Sequence, residues 1–176
     1  MKKNIAILLL LSITTFAGSS WAKSDSVNVV PSMRFEVTDV NGEEMNFKAF
    51  LGKGPLLVNF WALWCEPCKQ EMKAFVALSE KLKEKGVSMV SINTDKVKSI
   101  AKVRAWVTSQ GIKQPMLVDP DGDIARDRFS MESLPYSLLL RPDGSVYKKH
   151  IGFTAGDEVS IEKELEELVT ELPGKQ

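Results

Sequence analysis

The sequence is short of the residues that metal and haem sites need. It has two cysteines and one histidine in 176 residues. A structural zinc site uses about four Cys or His ligands. A covalently attached c-type haem needs a histidine directly after the second cysteine of its motif, where this chain has Lys69. We therefore expect neither a metal nor a bound cofactor.

The chain also lacks an excess of charge of either sign. It carries 23 basic and 23 acidic residues, and no basic stripe stands out. This balance gives no electrostatic reason to expect a nucleic-acid partner. After the N-terminal residues, no apolar run is long enough to cross a bilayer.

The N-terminus has the pattern of a secretory leader. Two lysines precede an apolar stretch, residues 5–17, which as a helix would span only ~20 Å of a bilayer core of ~30 Å. Small residues stand at the two positions that a signal peptidase reads, which predicts cleavage after Ala22. A retained membrane anchor is the alternative. We expect a signal peptide, residues 1–22, and a single periplasmic or secreted domain, residues 23–176.

Strand and helix patterns alternate through the remaining chain and end with a hairpin. This order predicts an α/β domain with a mixed sheet. The predicted strands are residues 34–40 and 45–47 (a hairpin), 56–61, 87–92, 116–118, 136–140 and 145–151. The predicted helices are residues 67–86, 97–111 and 161–172, with a helical turn or two at 124–129.

Both cysteines lie in one stretch, "NFWALWCEPCKQE". A disulfide across so short a loop would stabilise the fold little, because the loop-entropy effect grows with the logarithm of loop length. A strand that ends at Trp61 places Cys65 at the start of the next helix, where free backbone N–H groups favour a thiolate. Cys68, one turn later, can displace a partner bonded to Cys65. The spacing therefore predicts a redox pair in which Cys65 is exposed and attacks first.

The segment "NFWALWCEPC" resembles the active site of thioredoxins, in the form found in the secreted branch that includes TlpA, ResA and the cytochrome c maturation reductants. "GKGPLLVNFWA" and "LVDPDGDIARDRFSMESLPYSLLLRPDGSV" are similar to other parts of that family. The resemblance extends over about residues 35–172. It implies a thioredoxin fold, a central mixed β-sheet flanked by helices, with an N-terminal β-hairpin.

The resemblance also implies roles for individual residues. Cys65 is expected to be the nucleophile and Cys68 the resolving cysteine. Pro135 matches the cis-proline that faces the disulfide, and Leu134 before it matches a substrate-contacting position. The alternative for Pro135 is an ordinary proline at the start of a strand.

Three residues next to the cysteines are further candidates for substrate contact: Trp64, Glu66 and Pro67. Trp64 either presents a face to the partner or shields Cys68, and both possibilities stay open. The negative charge of Glu66 opposes a second anion at Cys65, so we expect a milder lowering of the thiol pKa than a histidine there would produce.

Glu71 is a candidate proton acceptor. Resolution of a mixed disulfide requires Cys68 to lose its proton, and a buried carboxylate of raised pKa could take it. Cytoplasmic thioredoxins have an aspartate at the position that matches Asn59, which is neutral here, whereas some secreted relatives rely on a glutamate that matches Glu71. The alternative is a solvated first-turn residue that suits the helix dipole.

The remaining aromatic residues and the single histidine are expected to be structural. Trp61 and Trp106 are interpreted as core residues, and His150 as a histidine without a chemical role. The sequence departs from the family in one respect, because the common Glu-x-Pro after the motif is Glu71-Met72-Lys73. This departure leaves open whether the first helix is kinked.

These features predict a thiol:disulfide oxidoreductase whose only redox group is its own disulfide. Strong secreted oxidants have a histidine between their cysteines and a helical insertion, and neither is present here. The resemblance therefore implies a reductant of selected protein disulfides, such as those of apocytochrome c haem sites, supplied by a membrane electron donor of the thiol-relay type. We expect the protein to be a monomer.

Two other functions remain as alternatives. A thioredoxin-like binding or chaperone module could keep the disulfide without turnover. A peroxidase of the peroxiredoxin type would need a cysteine preceded by threonine and proline, and this sequence has none.

Overall fold

A computed structural model describes residues 31–172. The predicted leader, residues 1–22, and its cleavage after Ala22 lie outside the described residues. Within the described part of the chain, none of the helices has the length and apolar character needed to span a bilayer.

A seven-stranded mixed sheet forms the centre of the fold, in the order β2-β1-β5-β4-β3-β6-β7. Strands β3, β4 and β5 are parallel, whereas β6 runs antiparallel to β3 and begins the C-terminal hairpin with β7. The strands are β1 (Glu36–Asp39), β2 (Glu44–Asn46), β3 (Leu56–Trp61), β4 (Ser88–Asn93), β5 (Met116–Val118), β6 (Tyr136–Leu140) and β7 (Val146–Ile151).

Three α-helices pack on one face of this sheet: α1 (Glu66–Lys81), α2 (Ile100–Ser109) and α3 (Asp157–Glu171). Their buried side chains share a cluster with one face of the central strands, in which Leu57 and Trp61 belong to β3, Phe75 to α1, Val103 to α2 and Leu165 to α3. Helix α1 has a proline in its first turn, where a missing N–H is tolerated.

Within residues 31–172, the opposite face of the sheet is covered without α-helices. Met33, Phe35, the 3₁₀ turn Phe47–Phe50 and the π-helical turn Ile124–Arg128 pack there. All six residues of β3 are buried, because both faces of this central strand are covered. The C-terminal end of β3 therefore meets the start of α1 at a well-supported edge of the sheet.

The predicted α/β fold class and the thioredoxin fold are confirmed, with corrections at element ends. Helix α1 ends at Lys81 rather than at Gly86, which instead ends a following 3₁₀ turn, Lys83–Lys85, in a left-handed conformation. Val97 belongs to a 3₁₀ turn before α2 and is 69% exposed, so it is not part of the apolar face of that helix. Helix α3 begins at Asp157, four residues before the predicted start.

Candidate active site

Cys65 and Cys68 form a disulfide where β3 passes into α1. Cys65 is the N-cap residue of α1, and its backbone N–H donates to the Ala62 carbonyl oxygen at 3.1 Å. Cys68 lies one turn into the helix, and the two Cα atoms are 5.3 Å apart. Free N–H groups give the N-terminus of a helix a partial positive charge, which favours a thiolate at the N-cap position when the bond is reduced.

The predicted exposure of Cys65 is wrong for the oxidised protein. Cys65 is only 5% exposed and Cys68 is fully buried. The order is as expected, with Cys65 the more accessible, but the difference in exposure is small.

The residues beside the disulfide form a polar rim around an exposed indole. Trp64 is 73% exposed, and Glu66 and Pro67 are exposed as well. The ammonium group of Lys69 makes a salt bridge with the carboxylate of Glu66. Because this ion pair offsets the negative charge of Glu66, it weakens the repulsion that Glu66 exerts on a thiolate at Cys65.

The proline before β6 has the backbone geometry that the resemblance implies. The Leu134–Pro135 peptide bond is cis. Pro135 is buried and its carbonyl oxygen accepts a hydrogen bond from the Gly152 N–H at 2.9 Å, while Leu134 is half-buried and contacts both hydrophobic clusters.

Glu71 is a fully buried carboxylate on the inner face of α1. The side-chain amide of Asn59 donates to its Oε2 at 2.6 Å, and the hydroxyl of Ser137 donates to its Oε1 at 2.8 Å. Burial raises the pKa of Glu71 to about 7; the two hydrogen bonds offset part of this rise and the negative charge of Asp157 adds to it. The alternative of a solvated first-turn residue is therefore wrong.

Glu71 and Cys68 lie on the same face of α1. They are three residues apart, a spacing that brings Cβ atoms within about 5–6 Å of each other on a helix. A carboxyl group that titrates near neutral pH and lies next to the inner sulfur has the right chemistry to exchange a proton with it.

Sequence reasoning missed two serines in this region. Ser137 on β6 bonds to Glu71, and Ser91 on β4 is paired in register with Asn59. Both are fully buried. The signal was available, since each serine interrupts an apolar strand, and a polar residue in such a strand usually has a specific partner.

A second buried carboxylate holds the loop that leads to Cys65. Asp95 is 7% exposed, and its Oδ2 accepts hydrogen bonds from the Leu63 N–H at 2.7 Å and from the Asn93 side-chain amide at 2.9 Å. Asp95 follows the end of β4, which neighbours β3 in the sheet. It therefore ties the backbone two residues before Cys65 to the adjacent strand.

Replacing Asp95 with alanine is expected to destabilise the oxidised protein by about 2 kcal/mol, because the part-buried Leu63 N–H and the buried Asn93 amide lose their acceptor. Urea unfolding measures this change. Asp121→Ala is the matched control; Asp121 is exposed and its side chain makes no hydrogen bond among residues 31–172, so its effect should stay within about 0.5 kcal/mol. Equal stability of Asp95→Ala and the control would contradict this account of the loop.

The other aromatic residues and the histidine make structural contacts, and Trp61 belongs to the same buried cluster as Cys65 and Cys68. Trp61 is fully buried, as predicted, and its indole N–H donates to the Met116 sulfur at 3.1 Å. The Trp106 ring is tilted by 40° to the Trp61 ring, with the ring centroids 4.9 Å apart, and Trp106 is only half-buried. His150 on β7 lies 2.8 Å from a carboxylate oxygen of Glu164 on α3.

Metal-ligating side chains do not converge in the part of the chain that is described. Across residues 31–172, no group of three or more His, Cys, Asp or Glu side chains could hold a metal ion. The chemistry that the described residues support is that of the two sulfurs and the buried carboxyl group.

Comparisons with known proteins agree with this geometry. The AhpC/TSA family profile matches residues 29–149. The thiol-disulfide oxidoreductase ResA of Bacillus cereus is 35% identical over 159 residues, which cover 85% of this chain and 89% of ResA.

Solved structures show the same fold at lower identity. A Chlorobium tepidum protein given the name thiol:disulfide interchange protein DsbE matches with a TM-score of 0.69 and 23% identity, over 77% of this chain and 93% of its own. A secreted disulfide oxidoreductase of Mycobacterium tuberculosis matches with a TM-score of 0.66 and 21% identity, over 78% of this chain and 98% of its own.

The ResA relatives, at up to 35% identity over most of the chain, are named thiol-disulfide oxidoreductases, and this chain keeps a Cys-x-x-Cys pair at the start of a helix. Oxidoreductase activity is therefore supported over the alternative of a binding module without turnover. The chain belongs to the AhpC/TSA family, among its thioredoxin-like thiol-disulfide oxidoreductases.

Proposed function

We propose that this protein is a reductant of selected protein disulfides outside the cytoplasm, with Cys65 as the attacking and Cys68 as the resolving cysteine. The observation that carries the proposal is the placement of Glu71. A buried carboxyl group with a pKa of about 7 lies one helical turn from Cys68, where a proton must leave during resolution.

The reaction proceeds by two thiol-disulfide exchanges. The Cys65 thiolate attacks one sulfur of the client disulfide; that S–S bond breaks, a Cys65–client bond forms, and the other client sulfur leaves as a thiolate. Cys68 then transfers its proton to Glu71 and attacks the Cys65 sulfur. The second client thiolate leaves, so the client gains two electrons and the Cys65–Cys68 disulfide is restored.

Substrate contact is assigned to the residues around the sulfurs. The exposed indole of Trp64 supports its role in presenting a face to the client, and the half-buried Leu134 and cis Pro135 offer backbone for an extended segment. Glu66 and Pro67 complete the rim. Because Cys65 is nearly buried, we expect the client to bind as an exposed, flexible segment.

The client and the electron supply follow from the resemblance to the cytochrome c maturation reductants. We propose that the client is the disulfide of an apocytochrome haem site. The proposed electron donor is a membrane protein of the thiol-relay type, and no cofactor beyond the Cys65–Cys68 disulfide takes part. The leader pattern of residues 1–22, together with a structural relative described as secreted, supports a periplasmic or secreted protein. We propose that it acts as a monomer.

A competition between two disulfides tests the proposal. The reduced protein is mixed with a peptide that contains an oxidised Cys-x-x-Cys-His motif, and separately with insulin. We expect the peptide to react about tenfold faster or more, which corresponds to roughly 1.4 kcal/mol of additional transition-state binding. Acid-quenched mass spectrometry measures both rates.

A Cys-x-x-Cys peptide with alanine in place of the histidine is the control for the haem motif. Equal rates with all three disulfides would refute the client assignment and leave the general activity intact. Failure to reduce any of them would refute the reductase function itself.

A further inference from the structure

Two buried polar atoms next to Glu71 have no hydrogen-bond partner among residues 31–172: the amide oxygen Oδ1 of Asn59 and the hydroxyl of Ser91. Both residues are fully buried. Unpartnered polar groups in a protein interior cost free energy, and they are rare enough that each needs an explanation.

The two atoms belong to neighbouring side chains of complementary chemistry. Asn59 on β3 and Ser91 on β4 are register partners in parallel strands, so their side chains project from the same face of the sheet. A hydroxyl can donate to an amide oxygen or accept from an amide nitrogen. A rotation of the Ser91 side chain about its Cα–Cβ bond that brings its oxygen towards Asn59, or one bridging water, would satisfy both atoms.

The same face continues to Glu71. Asn59 is also the register partner of Ser137 on β6, and Asn59 and Ser137 each donate to one oxygen of the Glu71 carboxylate. Ser91, Asn59, Glu71 and Ser137 thus form a row of polar side chains across three strands and α1. This arrangement suits an ionised Glu71, which only accepts hydrogen bonds.

A protonated Glu71 has a different requirement, because its O–H must donate. A half-turn of the Asn59 side-chain amide would present Oδ1 to Glu71 and turn Nδ2 towards Ser91, whose oxygen can accept. In both arrangements, a Ser91 side chain turned towards Asn59, or a bridging water, would give each member of the row a partner. With alanine at position 91, the turned amide would leave its N–H groups without an acceptor.

We propose that Asn59 and Ser91 are positioning residues that form a reversible hydrogen-bonded pair, with the Asn59 amide turning when Glu71 gains or loses its proton. The pair allows Glu71 to take the Cys68 proton without leaving a buried polar group unpartnered. This inference rests on the proposed role of Glu71 as the proton acceptor of the reaction.

The amide orientation can be followed by NMR in the oxidised protein, where the cysteines do not titrate. At about pH 9, above the pKa of Glu71, nuclear Overhauser effects should connect the Asn59 Nδ2 protons to the Glu71 side chain; at about pH 5 these should be lost and replaced by contacts to Ser91. The midpoint of the change should coincide with the titration of the Glu71 carboxyl carbon.

Two other titratable groups face this row and must be distinguished from Glu71. Asp157 approaches from α3, and His150 on β7 is the register partner of Ser137. Glu71→Gln removes the carboxyl group and leaves both in place, so the Asn59 contacts should become independent of pH. A change that persists in Glu71→Gln would overturn the proposal.

Substitutions of Ser91 test its part in the pair. Ser91→Thr keeps the hydroxyl and should keep the pH-dependent turn of the Asn59 amide, here called the reversal. Ser91→Ala should abolish this reversal. Ser79→Ala is the matched control, because it removes another buried hydroxyl that bonds to the Val76 carbonyl oxygen and not to this row; the reversal should survive. Reversal in Ser91→Ala would overturn the role of Ser91.

The wild-type spectra alone decide the central point, even if a variant fails to fold. An Asn59 amide with the same contacts on both sides of the Glu71 titration overturns the inference. Because this measurement involves no turnover, such a result would leave the proposed reductase function standing, and a failure of the reductase assay would leave the amide measurement interpretable.

Discussion

Replacing Cys65 with serine is expected to lower the rate of disulfide reduction by at least about 10³-fold, because the reaction loses its covalent nucleophile and no other cysteine can take its place. Cys65 is the N-cap of α1, and Cys68 lies behind it with no exposed surface. The buried sulfur cannot begin an exchange with a large client. Insulin reduction, followed as turbidity, measures the loss.

The matching Cys68→Ser variant should behave differently. Cys65 keeps its position and can still attack, but nothing resolves the intermediate, so the client accumulates on Cys65 as a mixed disulfide. Mass spectrometry without reducing agent identifies the adduct. Full multiple-turnover activity in Cys68→Ser, or attack through Cys68 in Cys65→Ser, would contradict the assigned order of the two cysteines.

The second large effect concerns Glu71 and the pH dependence of stability. Its pKa is raised in the folded protein from an ordinary 4.5 to about 7, so between these values the folded state binds more protons than the unfolded state. The free energy of unfolding therefore falls as pH rises. The contribution is fully present below pH 4.5, is lost as pH passes through about 7, and amounts to roughly 3 kcal/mol.

Glu71→Gln isolates this contribution, because glutamine keeps the shape of the side chain and cannot ionise. The free energy of unfolding of the wild type should fall by roughly 3 kcal/mol more than that of the variant as the pH rises from acidic to alkaline. Urea unfolding of the oxidised proteins from about pH 4.5 to about pH 8.5 measures the difference. Asp39 and Asp143 do not interfere, since their pKa values are lowered from 3.8 and their ionisation lies below this range.

Glu84→Gln is the control for a glutamate without burial, since Glu84 is exposed on the 3₁₀ turn after α1. Its stability difference from the wild type should be the same at every pH in this range. A constant difference for Glu71→Gln as well would show that the buried carboxyl group does not titrate near neutral pH, and the proposed proton acceptor would fail with it.

Much of the fold could be predicted because it depends on local patterns. The apolar run of β3 predicted a strand covered on both faces, and all six of its residues are buried. Gly144 donates its N–H to the Arg141 carbonyl oxygen, which closes the turn that the Arg-Pro-Asp-Gly sequence predicted. Helix ends were less predictable, since Gly86 ends a short 3₁₀ turn and not α1 itself.

The candidate site also has a part that local sequence patterns predicted and a part that they did not. The spacing of Cys65 and Cys68 and the strand before them predicted a disulfide at a helix N-terminus. The two possibilities for Glu71 could not be separated, because the burial of a helical position depends on what packs over it. Its partner Ser137 is 66 residues away in the chain. The exposure of Cys65 was overestimated for the same reason.

By itself, the sequence determined the order of strands and helices, the position of the sulfur pair between β3 and α1, and the class of chemistry, because periodicity, turn residues and cysteine spacing act over a few neighbouring residues. Only the tertiary structure decided that Glu71 is enclosed and bonded to Asn59 and Ser137, that Ser91 lies beside Asn59, and that Asp95 holds the loop before Cys65. These properties arise where segments that are distant in the chain exclude water from a charged group and supply its hydrogen bonds. Local sequence patterns do not predict which distant segments will be in contact.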